Sequence, residues 1–195
     1  LGLFEKAAPQ FYWSMKKIII CFILVTSSLL GRSQISGATL QASGLTCALC
    51  AKSIFTNLSS LSFVENVDTD LNASSFLITF KKGQQINPDL LKKKVEDAGF
   101  SVSNLLLDFN ADNLIVNPDV LLNIGDIHYH LVNSKGKVLN GLVKLQVIDK
   151  GYVGIKENKK LLTSVKQACY QTADVADCPN PGTSKSIPSF HVLVK

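Results

Sequence analysis

The sequence predicts an α+β protein in which a βαββαβ unit is followed by a smaller, mostly β region. Three observations carry this reading. Between residues 37 and 109, stretches that alternate apolar and polar side chains are interleaved with two stretches of helical spacing. The junctions hold Gly, Asn and Pro at positions that suit turns and helix caps. From Asn110 to Pro118 the residues Asn, Asp and Pro cluster as a boundary, and 116–195 then reads as strands separated by turns.

The elements of the first half follow in order. Ala38 to Ser43 alternates, with Leu40 and Ala42 on one side, and reads as a strand. Ala51, Ile54, Phe55, Leu58 and Leu61 then recur at helical spacing, which makes Ala48 to Ser60 an amphipathic helix. Val67, Thr69 and Leu71 alternate, as do Phe76, Ile78 and Phe80, and Asn72-Ala73-Ser74-Ser75 supplies the turn of a hairpin. Asn87-Pro88 opens a second helix, with Asn as the cap and Pro at the first helical position. Leu91, Val95 and Ala98 mark its buried face, and Gly99 is the natural stop. Phe100 to Phe109 is the last strand. Two split βαβ units in this order give an antiparallel sheet with two helices, a ferredoxin-like fold.

In the second half, Ile127, Tyr129 and Leu131 alternate with His128, His130 and Val132. Ser134-Lys135-Gly136 reads as a turn, Lys137 to Ile148 as a returning strand, and Lys150-Gly151 as a further turn before Tyr152 to Ile155. Leu161 to Tyr170 suits a strand or a short helix, and Ser189 to Val194 a final strand.

Residues 1–33 read as an upstream extension plus a signal peptide. Met15 precedes Lys16-Lys17, an apolar run from Ile18 to Leu30, and Gly31-Arg32-Ser33, which has small residues at −3 and −1 of a cleavage site. The run is shorter than the ~20 residues that span a bilayer. Cys21 lies inside the run, away from a lipoprotein-anchor position. The expectation is an exported protein, periplasmic or secreted, that meets the membrane only through the signal peptide before cleavage. Export also places the remaining cysteines where disulfides can form.

The chain is 46% hydrophobic and 18% charged, as expected of a globular protein. Its formal charge of +5 includes Lys6, Lys16, Lys17 and Arg32 against Glu5, so the remainder is only weakly basic. The densest basic run, Lys92-Lys93-Lys94, is explained by a solvated helix face. No basic stripe with interleaved aromatics marks a nucleic-acid partner.

The chemistry concentrates in Gly44-Leu45-Thr46-Cys47-Ala48-Leu49-Cys50. With Cys47 on a loop and Cys50 in the first helical turn, both sulfurs can converge on one point. The positive end of a helix stabilises thiolate, the form that binds metal. Two thiolates suit a soft ion: Cu(I) best, then Hg(II) or Zn(II). Zinc in a structural site usually takes four ligands. The same Cys-x-x-Cys also serves thiol–disulfide exchange. The element order, and the lack of an aromatic just before Cys47, argue against a thioredoxin-like unit.

Ala38 to Leu107 resembles the heavy-metal-associated domain of copper chaperones, metal-pumping ATPases and the periplasmic mercury-binding protein. The family motif Gly-Met-Thr-Cys-x-x-Cys stands here as Gly44 to Cys50. Its Val-x-x-Val-x-Val-Asp stretch appears as Val64-Glu65-Asn66-Val67-Asp68-Thr69-Asp70, and its closing motif as Glu96-Asp97-Ala98-Gly99-Phe100. The resemblance implies that Cys47 and Cys50 are the metal ligands. It implies that Leu45, at the family's Met position, packs beneath the loop. Thr46 would shape the loop's hydrogen bonds and Phe100 would close over it. The implied activity is binding, buffering or handover of an ion to a metal-donor or acceptor protein, without catalysis. Two other readings stay open: an extracytoplasmic thiol–disulfide oxidoreductase, and an interaction scaffold whose β region binds a partner.

Elsewhere, Cys169 and Cys178 read as a loop-closing disulfide, worth roughly 3 kcal/mol on the chain-entropy model, in preference to the alternative of a second metal site. His128 and His130, at i and i+2, share one strand face; an exposed polar face is the plainer account of them, and a second metal site completed by His191 is the alternative. Asp108, Asp112, Asp119 and Asp126 make no calcium motif. No Ser/His/Asp arrangement or glycine-rich phosphate loop is present.

Overall fold

A computed structural model describes residues 35–45, 47–117, 120–133, 136–166, 168–172 and 188–195. The expected targeting segment, with Cys21, lies outside these residues. Among the described residues, no helix is long and apolar enough to cross a membrane.

The first half is built as the periodicity predicts. Strand β1 spans Ile35–Ser43, helix α1 Ala48–Ser59, β2 Val64–Asp70, β3 Ser75–Phe80, helix α2 Pro88–Glu96 and β4 Ser101–Val116. β1 pairs antiparallel with both β3 and β4, and β2 with β3, which gives the ferredoxin-like order β4-β1-β3-β2. Register puts Leu40 opposite both Phe76 and Leu105, and Ala38 opposite both Ile78 and Leu107. These residues share one core with Ile54 and Leu58 of α1 and Leu91 and Val95 of α2. Each buried Val, Leu, Ile or Phe among them contributes about 1.5–3 kcal/mol through burial of apolar surface. Phe55 sits at the margin of the α1 stripe, 38% exposed.

Both ends of α2 are set by local chemistry. Asn87 Oδ1 accepts the Asp89 backbone N–H at 2.9 Å, satisfying one of the helix's unpaired donors. At the other end Gly99 takes φ +86°. The Phe100 N–H then turns back to the Val95 carbonyl at 3.1 Å.

The second half departs from the expectation of a separate body at 116–195. β5 (Val120–Ile124), β6 (Ile127–Leu131), β7 (Lys137–Val147) and β8 (Ser189–Val194) continue the same sheet. The full order is β2-β3-β1-β4-β7-β8-β6-β5. Ser33–Lys195 forms one compact unit. The Asn/Asp cluster read as a boundary is instead a register slip within β4, between Ala111 and Leu114, where Asn113 adopts φ +44°. Asn tolerates that left-handed conformation, so the extra residues are absorbed as a bulge and the strand continues.

The region is also less purely β than its alternation suggests. Helix α3 covers Ile155–Ser164 and the short α4 Ala168–Thr172, so the stretch from Leu161 to Tyr170 is helical on both sides of a break. β6 and β8 run parallel, unlike the other paired strands. A second apolar cluster forms beneath α3 and α4 from Val132, Ile148, Val153, Leu161, Val165 and Tyr170. Polar side chains bridge the strands where the two halves meet: Gln146 donates to Asn104 at 3.0 Å, and Asn104 to Gln41 at 3.2 Å.

Candidate metal site

β1 ends at Ser43, and the chain turns through Gly44 at φ +81°, a conformation that costs glycine little. Leu45 is half-buried and packs against the core beneath the turn, and Phe100 packs against the same core. Thr46 lies outside the described residues. Cys47 is the N-cap of α1, with extended backbone, and its Sγ accepts the Cys50 N–H at 3.2 Å. No acidic residue occupies the first turn. The positive end of the helix is therefore not offset locally, which favours thiolate at both positions. Cys47 is exposed, Cys50 half-buried, and Leu49 between them 79% exposed. The two Cα atoms are 5.3 Å apart and the sulfurs are joined as a disulfide.

The histidines assort differently from the expected trio. His130 and His191 stand opposite each other in the β6–β8 register. Both are buried, at 1% and 4% exposure. His128 does not join them. It pairs across the hairpin with Asn123, and its Nδ1 hydrogen-bonds the Asn123 Oδ1. The third member is Cys169 of α4, with no exposed surface, whose Sγ lies 3.3 Å from His130 Nδ1 and 3.2 Å from His191 Nε2. Cys178, its expected disulfide partner, lies outside the described residues. Asp149, just past β7, was not among the candidates read from sequence. It accepts the His191 Nδ1–H and backbone N–H, both at 2.7 Å, through its two carboxylate oxygens. No local motif announces this group, because its members come from four separate segments.

The nearby phenols are held neutral. Tyr170 packs edge-on against His191 and donates to the Ile148 carbonyl at 3.0 Å. Burial, with the Asp149 and Glu157 charges, pushes its pKa up to about 12. Burial likewise drives Tyr129 and Tyr152 far above the ordinary tyrosine value, and at Tyr152 the hydrogen bond to Asp89 adds to it.

Comparison with known proteins places the resemblance on the first half. Residues 39–101 match the family model of the heavy-metal-associated domain. Over 64 residues the chain is 38% identical to the "Probable copper-exporting P-type ATPase" of Archaeoglobus fulgidus, covering 33% of this chain and 8% of that protein. Among solved structures, the yeast copper transporter domain CCC2A, determined in apo and Cu(I)-loaded states, is 28% identical with a TM-score of 0.32, covering 34% of this chain and 90% of that one. Oxidized MerP from Ralstonia metallidurans is 27% identical with a TM-score of 0.32, covering 34% and 92%.

Proposed function

With residues 39–101 matching the heavy-metal-associated domain, we propose that this protein binds one soft metal ion, Cu(I), between Cys47 and Cys50 and hands it to a partner protein outside the cytoplasm. The observation that carries the reading is the exposed Cys47 at the tip of α1, with the Cys50 amide directed at its sulfur. Two thiolates at a helix N-terminus form a low-coordinate site for a soft cation. A partner's cysteine can add as a third ligand, and the ion then passes through a three-coordinate intermediate as Cys47 or Cys50 leaves. The likeness to a probable copper-exporting ATPase supports Cu(I); Hg(II) and Zn(II) are the alternatives the thiolate pair admits. No catalysis is required. The disulfide has to be reduced to the dithiol before metal enters.

The exposure of Cys47 also weighs against a pure scaffold. The joined sulfurs favour one rival reading, an extracytoplasmic thiol–disulfide oxidoreductase. Titration of the reduced full chain with Cu(I) against a competing chelator separates the two. A tight complex that Cys47→Ser abolishes supports metal binding. Unchanged Cu(I) binding in Cys47→Ser refutes this assignment, and catalytic turnover of a model disulfide supports the oxidoreductase.

A further inference from the structure

The structure assigns a second, buried metal centre to His130, Cys169 and His191, suited to a borderline-soft first-row ion, Zn(II) or copper. It is independent of the Cys47–Cys50 pair in both ligands and location, since its donors lie on β6, α4 and β8.

The geometry comes first. The three donor atoms lie within 4.8 Å of one another, and the two sulfur-to-nitrogen separations are 3.3 and 3.2 Å. Zinc–sulfur and zinc–imidazole bonds of about 2.3 and 2.0–2.1 Å set neighbouring donors roughly 3.5 Å apart, so the sulfur and each imidazole are already near coordination spacing. Two imidazole nitrogens and one sulfur are a donor set that zinc and copper sites use.

The surroundings match a metal centre too. A ligating histidine commonly gives its other ring N–H to a carboxylate, which fixes its tautomer and ring orientation. Asp149 does this to His191: with Nδ1 protonated and held, the Nε2 lone pair points at Cys169. The second Asp149 oxygen holds the His191 backbone N–H, so the carboxylate is itself fixed in place. Tyr170 packs edge-on against the His191 imidazole, and all three donor residues are buried, which limits water around the site. Two imidazoles and one thiolate select Zn(II) or copper over Mg(II) and Ca(II). On binding, the Cys169 thiol gives up its proton to solvent and its sulfur bonds the ion; no oxidant or reductant is needed.

The same atoms admit a second chemistry, since Cys169, His191 and Asp149 line up as nucleophile, base and orienting acid. Burial decides against it. Cys169 has no exposed surface for a substrate to reach, and a second imidazole, His130, already lies 3.3 Å from its sulfur.

The test uses the full chain with Cys47→Ser and Cys50→Ser together, which silences the first pair, so failure here is distinct from failure of the Cu(I) proposal. The reduced double variant is titrated with Co(II), then with Zn(II). One equivalent of Co(II) with a thiolate-to-cobalt charge-transfer band, displaced by Zn(II), is expected. Asp149→Asn should weaken binding by roughly 10–100-fold while keeping the band. Because Cys169→Ser alters a buried position, X-ray absorption on the folded, Zn(II)-loaded double variant provides the second readout: one sulfur and two imidazole nitrogens support the site. Absence of stoichiometric metal from folded protein overturns it. So does a disulfide to Cys169 that persists under native reduction, or fast alkylation of Cys169 that Zn(II) does not block.

Discussion

Tyr152 donates its phenolic proton to Asp89 across 2.5 Å, joining the loop after β7 to the first turn of α2. Its ring is buried, edge-on to Phe190, with the Lys92 ammonium 4.9 Å from the ring centroid. One side chain thereby ties the segment that matches the heavy-metal-associated domain to the strands beyond it. Tyr152→Phe keeps the ring and removes the bond to a carboxylate, so it should cost about 1–3 kcal/mol. A urea melt should show a lower midpoint and still a single transition. Two resolved transitions in the unmutated chain would show that the halves unfold independently.

Gly37 holds the close approach of β1 to β3. A Cβ there would lie 2.8 Å from the Ile78 carbonyl oxygen and 3.2 Å from an Asp108 carboxylate oxygen. The first contact is with backbone of a paired strand, which cannot rotate aside. Gly37→Ala should therefore destabilise by about 1–3 kcal/mol through strand displacement. Thermal denaturation measures this, and an unchanged midpoint would mean that the strands yield without penalty.

Asn87→Ala removes the cap of α2 and leaves the Asp89 N–H without its side-chain acceptor. The expected loss is about 1 kcal/mol. Asn87→Asp should recover most of it, since a carboxylate accepts the same bond and favours the helix N-terminus. If Ala and Asp variants melt alike, the cap contributes nothing.

Alkaline pH should unfold the protein through its phenols. Tyr129, Tyr152 and Tyr170 have folded pKa values above the ordinary value, with Tyr170 at about 12. Below roughly pH 10 both folded and unfolded states keep the protons, and the phenols add no pH dependence. Above it the unfolded chain releases protons that the folded state retains, so stability falls as pH rises. Phenolate absorbance should appear together with loss of structure. Full ionisation of these tyrosines in still-folded protein would contradict the burial argument.

The first half was legible because its signals are local. Alternation around Leu40 and Phe76, the Asn87-Pro88 start and the Gly99 stop each specify their own element. The cysteine loop was legible for the same reason. The second half is decided by distant pairings. Asn110 and Asp112 look like a boundary until β7 supplies a partner that carries β4 through its bulge. The His128/His130 alternation marks strand β6 by itself. Which imidazole meets His191 depends on the parallel β6–β8 register, and Cys169 arrives on a helix whose apolar residues suited a strand equally well. Asp149 acts only because β7 ends beside β8.

Joining β4 to β7 also changes which backbone groups the sheet leaves without a neighbour. In a four-stranded unit of this order, β4 would be an outer strand; here it is interior, and among the described strands β2 and β5 are the outermost. β2 carries Glu65, Asp68 and Asp70, charges that repel an incoming strand and its own copies. β5 has no charged residue, and its five-residue length limits the ladder it offers. Resistance to edge-to-edge association thus rests on carboxylates at one end of the sheet and on brevity at the other.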